Sequence, residues 1–190
     1  MIIFCRHYKT QANVDHIVQT YTDNGILDMP KEVKEAWDEN IPLQFAMDEV
    51  WVSPLKRTQQ TAEALVGKWD YLSHFVTETP LRAIEGQPVI LEDDDFPDDD
   101  ETMQDIEYSR ANVIKFWDAL DKDKDIIVFS HGIVMRLLYY HVMNIPFPDN
   151  FPDSFRTYIA PISMLVFDNL DTKPTCEFIH TTKDLIQYEK

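Results

Sequence analysis

Glycine is scarce in this chain: four in 190 residues, at Gly25, Gly67, Gly86 and Gly132, none near another. A Walker-type loop or a G-x-G-x-x-G turn needs clustered glycines so that backbone N–H groups can approach a phosphate. Neither can be built here, so any phosphate site must rely mainly on side chains. Cysteine is almost as rare. Cys5 and Cys176 lack C-x-x-C spacing, and reduced thiols in a cytoplasmic protein are the expectation. Positive charge is short too: 17 Lys and Arg stand against 34 Asp and Glu, a net −17. That balance argues against nucleic acid as a partner, because phosphate backbones select basic surfaces. No apolar run approaches the ~20 residues of a membrane helix, and the first residues lack the basic-then-apolar order of a signal peptide.

What is present suits a globular enzyme: 44% hydrophobic and 12% aromatic residues. A chain of this length is expected to form a single domain over 1–190, burying roughly 70% of its unfolded surface. Ile2–Cys5, "DEVWVS" (48–53) and "DIIVFS" (125–130) read as buried strands, and His74–Thr77 as a short one. "ISMLVFD" (162–168) and "CEFIHTT" (176–182) read as two closing strands in a hairpin. Helices are predicted for "DMPKEVKEAWDEN" with Pro30 in its first turn, for the segment after Pro54, for 102–120 and for 133–143. "EDDDFPDDDE" at 92–101 holds eight acidic residues in ten and is expected to be a solvated loop. Alternation of strands and helices predicts an α/β fold, a three-layer α/β/α sandwich around a mostly parallel sheet.

In such sheets ligands gather beyond the carboxyl ends of the strands. Arg6-His7 follows the first strand, Ser53 and then Arg57 the second, and Ser130-His131 ends "DIIVFS". Two guanidiniums and two imidazoles suit phosphoryl transfer through a covalent phosphohistidine. One neutral imidazole attacks phosphorus in line while the arginines pair with the nonbridging oxygens. A carboxylic acid must then protonate the leaving oxygen and can afterwards activate water.

These segments resemble the histidine phosphatase superfamily, in its phosphoglycerate-mutase-like branch. "CRHYKTQAN" is similar to the family's R-H-G-E-T-x-x-N, keeping Arg6, His7, Thr10 and Asn13. "VWVSPLKRTQQTAEAL" is similar to S-P-L-x-R-A-x-Q-T-A, and "DIIVFSHGIVMRLL" to the third segment. The resemblance implies His7 as nucleophile, Arg6, Arg57 and His131 as the phosphate pocket, no metal and no cofactor. Thr10 and Asn13 are candidates for substrate contact or for a helix cap.

The chain also departs from the pattern. Tyr8 replaces the glycine after the nucleophile, Lys9 replaces an acid or amide, and Ala83 stands in the register of the family's general acid in "TPLRAIEG". Glu85 is the nearest carboxylate and the candidate acid, with Glu92 to Glu101, or no acid at all, as alternatives. Arg136 reads as a salt-bridge partner. His16, His74, His141 and His180 lack metal-ligand spacing. The expectation is a metal-independent phosphatase acting on a small phosphorylated metabolite. A non-catalytic phosphate-binding or interaction protein and a mutase-type phosphotransferase are the alternatives. Oligomeric state and substrate are left open.

Overall fold

A computed structural model describes residues 1–40, 47–88, 99–147, 159–168, 170 and 174–179. The elements are β1 (Ile2–Arg6), α1 (Gln11–Val14), α2 (Lys31–Asn40), β2 (Glu49–Val52), α3 (Lys56–Val66), β3 (Tyr71–Leu72), α4 (Asp100–Ala119), β4 (Ile126–Ser130), α5 (Gly132–Val142), β5 (Met164–Asp168) and β6 (Thr175–Ile179). Among the described residues the strands form one sheet in the order β3-β2-β4-β1-β5-β6. The four strands from β3 to β1 run parallel, while β5 and β6 form an antiparallel hairpin beside β1.

Strand alternation assigns the two faces. Ile2 and Phe4 of β1, Ile126 and Val128 of β4, and Leu165 and Phe167 of β5 join α4 and α5 in one core. Ile3, Cys5, Val50, Val52, Ile127 and Phe129 point the other way and join α2 and α3 through Val33, Trp37, Ala62 and Leu65. Because both faces are covered, the central strands read as continuous apolar runs rather than alternating ones. Phe4 lies edge-on to Phe116 and Phe167, with ring centroids 6.2 and 6.3 Å away. No helix among the described residues is long and apolar enough to cross a membrane.

Two expectations change. The third strand is Tyr71–Leu72, not His74–Thr77. Ser73 gives its N–H to Val52 at 2.9 Å, and its hydroxyl then accepts the Phe75 N–H at 3.3 Å. That cap turns His74–Val76 into a single 3-10 turn. The acidic run is also not wholly a loop. Asp99 caps α4, accepting the Thr102 N–H at 2.8 Å, and Asp100 and Glu101 lie in the first turn, where the helix dipole favours negative charge. Residues 92–98, and Glu92 with them, lie outside the described residues, as does His180.

Register brings the strand ends level. Arg6 pairs with Ser130 across the parallel β1–β4 ladder, and the His7 N–H continues it to the Ser130 carbonyl at 3.1 Å. On the other side of β4, the Ser53 N–H reaches the Phe129 carbonyl at 3.1 Å. Arg6-His7, Ser53 and Ser130-His131 therefore leave the sheet at one edge.

Candidate active site

At that edge the His7 and His131 rings lie 5.3 Å apart, centroid to centroid, tilted by 59°. Both are buried. His7 Nδ1 is 2.6 Å from the Tyr8 carbonyl oxygen, which can only accept, so Nδ1 carries the hydrogen and Nε2 keeps a free lone pair. Burial, then the charges of Arg57 and Arg6, hold His7 well below the usual imidazole range, against the pull of the Tyr8 carbonyl. It is a neutral base at neutral pH.

His131 is oriented by Ser53. That hydroxyl accepts the Leu55 N–H at 3.2 Å, and its oxygen lies 2.8 Å from His131 Nε2, a hydrogen bond whose direction follows the imidazole tautomer. In the tautomer that accepts from Ser53, the imidazole hydrogen resides on Nδ1, a buried atom with no hydrogen-bond partner among the described residues. Burial, Arg57, His7 and Arg6 lower its pKa as well. A neutral ring with one unused N–H is a hydrogen-bond donor in waiting.

Arg57 is wholly buried. Its Nη1 donates to the Thr22 carbonyl at 2.9 Å and its Nη2 to the Thr20 carbonyl at 2.6 Å, while Nε has no partner. Arg6 donates through Nη1 to the Ile159 carbonyl. Its backbone is bracketed by Ser163 O and Ile162 N, each at 3.0 Å. Ile162 adopts φ of 55°, a conformation unfavourable for a β-branched residue and of the kind that gathers at functional sites.

Glu85, the candidate acid of the sequence, is held in hydrogen bonds away from the two histidines' own contacts. Its two carboxylate oxygens accept the N–H and hydroxyl hydrogens of both Thr20 and Thr22, the residues whose carbonyls hold Arg57. Burial pushes its pKa up, but the Thr20 and Thr22 hydrogen bonds outweigh that and hold it below the usual carboxylate value. An ionised acceptor with both oxygens occupied has no proton to give.

The carboxyl that does reach the histidines is Glu78, which the sequence reading missed. It is only 9% exposed; Oε1 accepts the Thr79 N–H at 3.1 Å and Oε2 stands 3.9 Å from His131 Nδ1. Burial pushes its pKa up to about 7, against the pull of Arg57, the Thr79 N–H, Arg6 and Arg136. The sequence signal was slight: one glutamate between two threonines, ahead of Pro80 and five positions before the family register at Ala83. Ala83 itself is exposed.

The other candidates have plain places. Thr10 caps α1 and Asn13 completes a reciprocal capping box, with the Thr10 N–H on Asn13 Oδ1 at 3.1 Å and its hydroxyl on Gln19 Oε1 at 2.7 Å. The Tyr8 ring is buried in the core with Val33 and Trp37. The Cys5 thiol is buried and pushed up to about 12, too high to supply a thiolate nucleophile. Among the described residues no cluster of three or more His, Cys, Asp or Glu could hold a metal ion.

A raised carboxyl pKa has a stability signature. The folded state keeps the Glu78 proton to about pH 7, whereas the unfolded chain releases it near the ordinary glutamate value. Wild-type stability should therefore fall as pH rises between those two values. Glu78→Gln removes that loss. Urea titrations should find the variant gaining on wild type by roughly 2–3 kcal/mol between pH 5 and pH 8; a difference independent of pH would mean that Glu78 is ionised throughout.

Residues 2–87 match the model of the histidine phosphatase superfamily, branch 1. No curated protein sequence matches the chain at a comparable level. Among solved structures, it is similar to a phosphoserine phosphatase from Entamoeba histolytica in complex with 3-phosphoglyceric acid. The TM-score is 0.72 at 20% identity, covering 94% of this chain and 96% of that one. A mycobacterial glucosyl-3-phosphoglycerate phosphatase complexed with VO3 gives 0.69 at 16% identity, covering 93% and 96%. Those structures share the fold over nearly the whole chain, and the matched segment contains Arg6, His7 and Arg57. The stretch 2–87, which carries Arg6, His7 and Arg57, is that of the histidine phosphatase superfamily, branch 1.

Proposed function

We propose that the chain is a single-domain, cytoplasmic phosphatase that hydrolyses a small phosphomonoester through a phosphohistidine on His7. The observation that carries this reading is the state of His7. Its Nδ1–H is bonded to the Tyr8 carbonyl, and burial, with two guanidinium charges beside it, suppresses protonation of its ring. Nε2 then attacks phosphorus and the bond to the ester oxygen breaks. The positive charge arising on the ring is stabilised through Nδ1–H by the Tyr8 carbonyl. Arg6, the free Nε of Arg57 and Nδ1–H of His131 bind the nonbridging oxygens, where charge is held most strongly.

Glu78 is the acid in this scheme. Its Oε2–H protonates the leaving oxygen, and the resulting carboxylate takes a proton from the water that cleaves the phosphorus–nitrogen bond. Inorganic phosphate leaves and neutral His7 returns. The reading is supported by the structural neighbours, one of which is a phosphatase complexed with VO3. It also weakens the case for a non-catalytic binder, which rested on Ala83 and Tyr8. The Tyr8 ring is spent in the core, and Glu78 supplies the carboxyl that Ala83 lacks.

Rapid quench with a labile phosphomonoester should trap an acid-labile, base-stable adduct on His7, absent in His7→Ala. Label on Cys5, or full turnover by His7→Ala, would refute the assignment. Glu85→Ala separates clamp from acid. Loss of the acceptor leaves the buried Thr20 N–H unpaired, which typically costs about 1–3 kcal/mol of stability. With Arg57's anchors loosened, inorganic phosphate affinity should fall by roughly tenfold. Unchanged phosphate binding by calorimetry would return Glu85 to a role in proton transfer.

A further inference from the structure

His7 owes its tautomer to a carbonyl just past the end of β1, so whatever fixes Tyr8 also fixes the attacking nitrogen. The parallel ladder reaches as far as the His7 N–H on the Ser130 carbonyl. The next amide is taken by a side chain: the Tyr8 N–H donates to Thr61 Oγ1 at 2.9 Å. The same hydroxyl gives its own hydrogen to the Arg57 carbonyl at 2.6 Å. Both directions are unambiguous, because a backbone N–H can only donate and a carbonyl oxygen can only accept. Thr61 is fully buried, as is Arg57, and follows it by one turn in α3. A helical threonine often returns its hydroxyl hydrogen to the carbonyl four residues back. Here the oxygen also accepts from an amide 53 positions earlier in the chain. With the Tyr8 ring packed among Val33 and Trp37, the N–H, carbonyl and side chain of Tyr8 are each held.

We infer that Thr61 is the positioning residue of the nucleophile: one hydroxyl ties the Tyr8 backbone, and with it the His7 imidazole, to the helix that carries Arg57. The inference rests on the phosphatase reading and adds to it the residue that sets the geometry of attack. In-line attack requires Nε2 and phosphorus to meet at a defined distance and angle, and a misplacement of about 1 Å can cost roughly 10²-fold in rate. Helix α3 governs both partners of that encounter. Arg57 receives the phosphoryl group, and Thr61 tethers the nucleophile that attacks it. Without the hydroxyl, the buried Tyr8 N–H would be left unpaired, a state the backbone relieves by turning. The carbonyl that holds His7 Nδ1 would turn with it. Thr61 therefore acts through Tyr8, one residue removed from the imidazole it positions.

Thr61→Val keeps the shape of the side chain and removes both bonds, whereas Thr61→Ser keeps the oxygen. Amide hydrogen exchange on the full chain reads the tether directly. The Tyr8 amide should be protected in wild type and in Thr61→Ser, and should exchange about tenfold faster or more in Thr61→Val, with the His7 amide still protected by Ser130. Rapid-quench labelling of His7 by p-nitrophenyl phosphate reads the consequence. Its rate at saturating ester should fall roughly 10- to 100-fold in Thr61→Val and recover in Thr61→Ser. Inhibition by inorganic phosphate, which reports on Arg57, should stay within about twofold of wild type. An unprotected Tyr8 amide in wild type, a result that needs no variant to fold, would overturn the tether. Full labelling rate in Thr61→Val, or a loss that Thr61→Ser shares, would overturn the positioning role alone. No label on wild-type His7 would overturn the phosphatase reading and this inference together.

Discussion

Positive charge concentrated at one end of the sheet is the constraint on which the rest of the site depends. Burial first, and then the charges of Arg6 and Arg57 acting on the same two imidazoles, lower the pKa of both rings. Burying a guanidinium is costly unless its hydrogens are satisfied. Arg57 meets that requirement with backbone carbonyls rather than with a carboxylate partner. An ion pair there would have neutralised the charge. Carbonyls leave it available, and Glu85 makes the arrangement rigid from one layer further out by holding both threonines whose carbonyls are used. A phosphoryl dianion is a ligand that suits such a site.

Burial, working against that positive charge, sets the state of Glu78. A carboxyl beside two guanidiniums would ordinarily be ionised. Glu78 is buried deeply enough that desolvation prevails and its pKa rises to about 7. Glu85 lies within reach of the same arginine yet moves the other way, because donated hydrogen bonds outweigh its partial burial. Two glutamates seven positions apart are thus shifted in opposite directions by their environments, the pattern expected where acid–base chemistry runs near neutral pH.

How much of this was legible in the sequence follows from the kind of signal each part carries. The sheet core was legible because strands buried on both faces are continuous apolar runs, and the Arg6-His7, Arg57 and His131 constellation because it stands at strand ends in recognisable segments. The Tyr71–Leu72 strand was not, being only two residues long with both side chains exposed. Glu78 was not, because a loop glutamate's burial is fixed by elements far away in the chain: His131 lies beside it and the α4 residues Tyr108, Ser109 and Asn112 share its cleft. Register reasoning led to Ala83 and its neighbour Glu85. Thr10 and Asn13 were read as either caps or ligands, and the structure gives them a reciprocal cap, a local pattern that the spacing Thr10-x-x-Asn13 already permitted.

The central claim is that Glu78, not Glu85, gives up the leaving-group proton. The most direct test is the pH dependence of kcat/KM for an alkyl phosphate beside p-nitrophenyl phosphate, in wild type, Glu78→Gln and Glu85→Gln. The nitrophenolate departs as a stable anion and needs little protonation, whereas the alkoxide needs a full proton. Because the acid must be protonated, wild-type activity on the alkyl ester should fall as pH rises through about 7, and the nitrophenyl ester should show no such limb. Glu78→Gln should slow the alkyl ester by ~10²–10⁴-fold and the nitrophenyl ester far less. An alkyl rate that survives Glu78→Gln, or one lost selectively in Glu85→Gln, would contradict the account.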